Sequence, residues 1–423
     1  MLKAEYEGPV SRLCWGSIRM ALALVVVFSM ASTTAQPAQA QTFTVLYNFT
    51  GGTDGGGNDA SLVRDREGNL YGTTVHGGNN ACPNGCGVVF KLNKQNKETV
   101  LYAFCKHRSC IDGAYPASTL VLDASGNLYG TTNGGGSSNL GTVFKLSKNG
   151  KETVLHSFNG FPDGEFPTYA GLLMDASGTF YGTTQYGGAA GFGVAYKLDK
   201  AGKETVLHSF AGYAASDGQY PISGLVKDAS GNLYGTTEQG GTGCGSPGCG
   251  TVYKLSKTGN ETILYNFTGT PDGAFPYLGT LLLDKSGNLY GTTQSGGKNG
   301  TPGGTVFELS KGGQETVLYS FCSQSGCSDG ASPYGGVVID GSGNFYGTTI
   351  AGGMGGCNPT CGTVFELSKN GTETVLHSFD LSDGAVPYGV IRDAQGNLYG
   401  TTNSGGSHGT YNDYGVVFEI TTK

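Results

Sequence analysis

A four-residue phrase, Tyr-Gly-Thr-Thr, returns seven times along the chain, at Tyr71, Tyr129, Tyr181, Tyr234, Tyr290, Tyr346 and Tyr399. The spacing runs from 58 residues between Tyr71 and Tyr129 to 52 between Tyr129 and Tyr181, so loops vary while the unit persists. Self-similarity at a period of this size marks a propeller or solenoid and outranks any local reading.

Each unit reads as four short strands. The first is a short apolar run such as Leu120-Val121-Leu122 or Leu281-Leu282-Leu283, which suits a strand buried on both faces. It ends in Asp-Ala-Ser-Gly-Asn or a close variant, the chemistry of a tight hairpin. The second strand is Leu-Tyr-Gly-Thr-Thr, whose central glycine predicts close approach of another backbone. A loop with a Gly pair follows, such as Gly187-Gly188 or Gly296-Gly297, and then a third strand, Gly-Thr-Val-Phe-Lys-Leu, rich in β-branched and aromatic residues. A turn of the type Ser-Lys-Asn-Gly-Lys leads to the outermost strand, Glu-Thr-Val-Leu-His-Ser-Phe. Both outer strands carry apolar residues on both pleat faces, as a blade sandwiched between neighbours requires, whereas a one-sided sheet would alternate.

Four strands per unit without helical periodicity predict an all-β fold, a β-propeller. The ends agree. Thr44 to Phe49 is an outermost strand with no blade of its own, and Gly415 to Ile420 is a third strand with no fourth. The N-terminal strand, residues 44–49, is therefore expected to complete the last blade and close a ring of seven. An open solenoid would instead carry polar capping repeats.

Residues 1–40 read as a signal peptide, with Lys3, Arg12 and Arg19 ahead of an apolar run from Met20 to Met30 and small residues at Ala38-Gln39-Ala40. The apolar run is too short to span a bilayer as a mature helix, and no other segment resembles a span. Residues 41–423 are then one propeller domain. Without the signal, 22 basic residues face 30 acidic ones, a net charge of about −8 that argues against nucleic acid as partner. The Lys106-His107-Arg108 spot is too small an electrostatic footprint to change that. Glycine (76) and proline (14) make up about a fifth of the chain, yet they fall at the turns of a strict period, which argues for folding over disorder.

In a propeller the connections sort onto two faces. One takes the short, near-identical hairpins. The other takes the long loops between second and third strands and between blades, and function resides preferentially on such variable loops. Ten of the eleven cysteines fall on the long-loop face as close pairs: Cys82/Cys86, Cys105/Cys110, Cys244/Cys249, Cys322/Cys327 and Cys357/Cys361, with Cys14 in the signal. In an exported chain these read as local disulfides. The alternative is zinc, since the first two pairs could converge, as could the last two, although Cys244/Cys249 has no second pair nearby.

The blade-to-blade loops carry an Asp-Gly, at Asp54, Asp112, Asp163, Asp217, Asp272, Asp329 and Asp383, followed by x-x-Pro everywhere except after Asp54. Turn chemistry accounts for them. The sharper expectation is a ring of carboxylates at the channel mouth, Asp272, Asp329 and Asp383 foremost, with Tyr277, Tyr334 and Tyr388 behind. Carboxylates with aromatic faces suit a sugar or a cation, and calcium is the one cofactor they suggest.

Catalysis should break the sevenfold pattern. Glu238 is the only acid directly after Tyr-Gly-Thr-Thr, where other units have Val75, Asn133, Gln185, Gln294, Ile350 and Asn403. The last unit has an unusual loop, Ser404 to Tyr414, with His408 and Asp413. Neither brings a nucleophile–base pair. His156, His208 and His377 alternate with Tyr47, Tyr102, Tyr265 and Tyr319 at one outer-strand position, which marks them as strand residues. His76, His107 and His408 lack metal-ligand spacing. The Gly pairs lack the lysine and helix of a phosphate loop, and the single Trp, Trp15, lies in the signal, so WD-type repeats are excluded.

The repeat Gly-Asn-Leu-Tyr-Gly-Thr-Thr-x-x-Gly-Gly … Gly-Thr-Val-Phe-Lys-Leu … Glu-Thr-Val-Leu-His-Ser-Phe … Asp-Gly resembles the GloVer (Gloeo–Verruco) tandem-repeat family, from Thr44 onward. The resemblance implies an exported bacterial propeller-like protein and carries no activity or catalytic residue with it. Members vary in surface anchor. This chain stops at Thr421-Thr422-Lys423 with no apolar tail, so a secreted or periplasmic monomer is expected. Two functions follow: a non-enzymatic scaffold binding a protein or polysaccharide on the long-loop face, or a glycan-active hydrolase or lyase at the channel mouth. A blade-unique cluster of acids or histidines would favour the enzyme.

Overall fold

The structure, a computed structural model, describes residues 41–167, 169, 171–355, 357, 361–407, 409–410 and 414–421; the expected signal segment, His408 and Asp413 lie outside the described residues. Seven four-stranded antiparallel sheets form seven blades, numbered here in chain order. Six are contiguous in sequence. In the seventh, the strands Ala385–Arg392, Leu398–Ser404 and Val416–Thr421 are completed by the N-terminal strand Thr42–Asn48, which pairs antiparallel with Val416–Thr421. Ring closure by the N-terminal strand is thus as expected.

Each residue of the recurring phrase has a distinct job. The tyrosine hydroxyl donates to the hairpin Asp six residues earlier in all seven blades, from Tyr71 on Asp65 to Tyr399 on Asp393, at 2.9–3.4 Å. That Asp also accepts backbone N–H groups of its own turn, as when Asn127 N donates to Asp123 at 2.8 Å. In four blades the first threonine reaches into the next: Thr73 Oγ1 donates to the Ser118 carbonyl, Thr131 to Pro167, Thr183 to Ser223 and Thr401 to Ala60, whereas Thr236 and Thr348 bond within their own blade. The second ties the start of the long loop to the third strand, as Thr74 Oγ1 donates to the His76 carbonyl and accepts from Val88 N.

The glycine corrects an expectation. No neighbouring backbone lies closest to it; the aromatic ring paired with it on the third strand does. A Cβ on Gly72 would stand 2.6 Å from Phe90 Cζ, and one on Gly400 2.4 Å from Phe418 Cζ. With its tip against the glycine, each ring meets a Phe from the preceding blade edge to face. These pairs, Phe49–Phe90, Phe104–Phe144, Phe158–Tyr196, Phe210–Tyr253, Phe267–Phe307, Phe321–Phe365 and Phe379–Phe418, have centroids 4.9–5.3 Å apart. One pair staples each of the seven interfaces, contributing about 0.5–1.5 kcal/mol beyond area burial.

On the long-loop side the inner two strands are prolonged. The segment after each Asp-Gly pairs with the segment after each Tyr-Gly-Thr-Thr, as a bridge (Gly56 with His76), a two-residue ribbon (Gly164–Glu165 with Tyr186–Gly187) or a longer strand (Ala331–Ile339 with Phe345–Ala351). Between this extension and the inner strand proper, pairing is interrupted, after Glu165 and until Leu173 in the third blade and just after the Pro-Tyr pair in the sixth and seventh.

Candidate ligand site at the channel mouth

That interruption builds the site. The residue before the proline position is left-handed in every blade: Gly57, Tyr115, Phe166, Tyr220, Phe275, Ser332 and Val386, with φ from 53° to 65°. For six of the seven this is a sparsely populated conformation for a residue with a side chain. In the sixth and seventh blades the register shifts between Tyr334 and Val337 and between Tyr388 and Val390. Such bulges re-aim side chains.

The tyrosines after the proline meet there. Tyr277 and Tyr334 have ring centroids 5.3 Å apart, Tyr334 and Tyr388 4.8 Å at right angles, and the hydroxyls of Tyr334 and Tyr388 stand 3.5 Å apart. Tyr334 is 7% exposed. Around it pack Ile222, Leu278, Tyr169, Tyr220 and Ile350. Burial, followed by Asp59 and Tyr277, raises the Tyr169 hydroxyl far above the usual tyrosine range. Below the cluster lies a channel cavity of about 410 Å³ lined by residues of all seven blades at or just before the inner strands, with an aliphatic wall running from Leu62 to Val390.

Of the expected site residues, the structure brings Tyr277, Tyr334 and Tyr388 together and sets Glu238 beside them. Glu238 is half-buried, burial raises its carboxyl, and its charge acts on Tyr277 and Tyr186. The aspartates go elsewhere. Asp272 accepts from Tyr265 at 2.6 Å, Asp329 from Tyr319 at 2.9 Å, and Asp383 bonds His377 at 2.8 Å. All seven Asp-Gly carboxylates follow this plan, binding the outer-strand Tyr or His of their own blade and the backbone N–H groups beyond it.

One residue was missed from sequence. Asp59 stands where other blades carry Tyr334, Tyr388 or Ile222 after the proline, and its blade has Asn58 in the proline's place. Its carboxylate accepts from Asn403 Nδ2 and the Tyr388 hydroxyl. Burial pushes it up to about 6, against the lowering effect of those two bonds. The missing proline after Asp54 was the available signal. Asn58 is fully buried; its Nδ2 donates to the Thr402 carbonyl at 3.2 Å, and its Oδ1 has no partner.

Two side-chain groups among the described residues have metal-ligand spacing. Cys82, Cys86, Cys105 and Cys110 converge, but their sulfurs form the Cys82–Cys86 and Cys105–Cys110 disulfides; Cys244–Cys249, Cys322–Cys327 and Cys357–Cys361 are paired likewise. His208 and Glu261 lie on neighbouring outer strands and Asp217 in the loop between blades, and the two carboxylates raise the histidine's affinity for a proton despite its burial. The long-loop face also bears most of the exposed large apolar side chains: Ile111, Phe161, Met354 and Tyr414, against Ile339 alone on the hairpin side.

The sequence pattern of the Gloeobacter/Verrucomicrobia repeat matches residues 25–246 and 242–423. No curated protein matches the chain in sequence. Among solved structures, a streptogramin B lyase aligns with a TM-score of 0.57 at 11% identity, covering 90% of this chain and 98% of that one. The extracellular domain of the hybrid two-component system BT3049 from B. thetaiotaomicron aligns at 0.53 and 13% identity, covering 89% of this chain and 41% of that one. At such identities the likeness is one of fold.

Proposed function

This chain belongs to the Gloeobacter/Verrucomicrobia repeat family, and from that premise we propose that it is an exported binding propeller whose long-loop face takes a polysaccharide. The observation that carries this reading is the convergence of Tyr277, Tyr334 and Tyr388 at the channel mouth. Aromatic faces stack on the C–H faces of sugar rings, with the hydroxyl end free to hydrogen-bond. The seven residues after Tyr-Gly-Thr-Thr add chemistry of the same kind. Asn133, Gln185, Gln294 and Asn403 offer amides and Glu238 a carboxylate, and all five are partly exposed. Five local disulfides support an oxidising, extracytoplasmic address. No helix among the described residues is long and apolar enough to cross a membrane.

The test is a thermal melt of residues 41–423 against a panel of bacterial and plant polysaccharides, with and without chelator. A ligand of the native state raises the midpoint by mass action. A saturable shift for one glycan, reduced at least tenfold in apparent affinity by Tyr277→Ala, is the expected outcome. No shift with any glycan overturns the reading and points to a protein partner for the apolar rim.

A second reading is favoured by Asp59 and Glu238, two carboxyls without counterparts in other blades, both acting on Tyr277. A raised carboxyl is the requirement for a general acid in glycan hydrolysis or elimination. Release of reducing ends from a bound glycan, lost in Asp59→Asn, would establish the enzyme in place of the scaffold.

A further inference from the structure

The channel beneath the tyrosines has a composition that a polysaccharide on the face above does not use. Of the residues lining its 410 Å³, Asp59 is the only acid, and none is a lysine, arginine or histidine. The remaining wall is aliphatic, one leucine or valine from each blade, broken by Ser61, Thr119, Thr280 and the hydroxyls of Tyr169 and Tyr388. Of the lining residues, Asp59 is half-buried and Thr280 exposed. A carboxylate so enclosed is ordinarily matched by a cation. Here its partners are neutral donors only, Asn403 and Tyr388. Tyr169 and Tyr388 line the cavity together with Asp59, and Tyr277 stands against Tyr334 and Tyr388 in the cluster at its mouth.

We propose that this channel is a binding site for a small organic ammonium ion, its charged head between Asp59 and the tyrosine rings and its alkyl part against the aliphatic wall. A volume of this size falls in the ~300–1,000 Å³ range of small-molecule sites. Ring quadrupoles and a carboxylate are the combination that recognises quaternary and alkylated ammonium groups. A metal ion fits poorly, because one carboxylate in an aliphatic wall supplies too few oxygen ligands for calcium or magnesium. A neutral sugar lying wholly within the channel fits poorly too, since most of its hydroxyls would face leucines and valines.

The discriminating experiment is isothermal titration of residues 41–423 at pH 7.5 with choline and with 3,3-dimethylbutan-1-ol, its neutral isostere of equal shape. Saturable choline binding, at least tenfold tighter than that of the isostere, is expected. Asp59→Asn, which keeps the acceptor for Asn403 and removes the charge, should weaken choline at least tenfold and leave the isostere unchanged. Equal binding of the two compounds, or no saturable binding of choline, overturns the proposal on the unaltered chain, whatever the variant does. Undiminished choline binding by a folded Asp59→Asn overturns it as well. The polysaccharide reading is separate: its melt can fail while choline binds, and the reverse.

Discussion

Tyr196 and Tyr253 occupy the third-strand position that is Phe in the other five blades, and each sets its hydroxyl end against its glycine, Gly182 or Gly235, with the side chain fully buried. Their hydroxyls have no partner, and burial, then Glu204 or Glu261, drives them far above the usual tyrosine range. A buried hydroxyl without a bond is a net cost. Tyr196→Phe and Tyr253→Phe should therefore each raise stability by about 1 kcal/mol in urea unfolding, whereas a loss would reveal a bond from ordered water. At the residue scale the sequence is an uneven guide to role, for a physical reason. The Asp-Gly carboxylates repeat because each closes its own turn, so repetition was a good guide to a structural role. Asp59 does not repeat, and nothing local distinguishes it from a loop aspartate: its character comes from the channel, to which all seven blades contribute.

Strands and turns were legible because their signals are local. The hairpin aspartates, the glycines at positive φ and the doubly apolar strands each specify an element within a few residues. The odd N-terminal strand could be assigned because a lone outermost strand and a three-stranded last unit are complementary. The bulges at Tyr334 and Tyr388 were not legible, since a register shift depends on the partner strand. Closure carries an element-scale prediction. The N-terminal strand covers the edge of Val416–Thr421, whose third-strand residues are almost wholly buried, and Phe49 beyond it forms the edge-to-face pair with Phe90 of the first blade. Deleting residues 42–49 bares that edge and breaks one of seven aromatic staples. A bared apolar edge strand templates association. The truncated chain should elute as aggregate in size-exclusion chromatography and lose its cooperative melt; a monodisperse product with an unchanged midpoint would show that the ring holds without the strand.

At the scale of the whole ring, six interfaces share one titrating device. The glutamate that opens the outer strand of the first six blades, Glu98, Glu152, Glu204, Glu261, Glu315 and Glu373, has one buried oxygen without a partner. Burial first, and then the Asp-Gly carboxylate of the preceding blade, raises each to about 7; for Glu261 the charge of His208 pulls against this. The remaining interface has Phe43 at that position, stacked on His377 at 3.7 Å, and so no proton to exchange. The native state thus holds protons between about pH 4.5 and 7 that the unfolded chain has released. Stability from these groups is complete below the unfolded value and is lost as pH rises through the folded one. Asp59, raised to about 6, and His208, raised by Asp217 and Glu261, act in the same direction. His76, lowered by burial, opposes them weakly, and the lowered hairpin aspartates act only at still lower pH. Because the six glutamates are partly exposed, screening reduces each to about 0.5 kcal/mol, or roughly 3 kcal/mol in all. The melting temperature should therefore rise by several degrees from pH 8 to pH 5.5. In a chain carrying all six Glu→Gln substitutions most of that dependence should vanish, because a neutral amide has no proton to lose. A midpoint that falls or stays level from pH 8 to 5.5 in the unaltered chain would mean that water reaches these carboxyls and that they add nothing to the aromatic pairs and threonine bonds between blades.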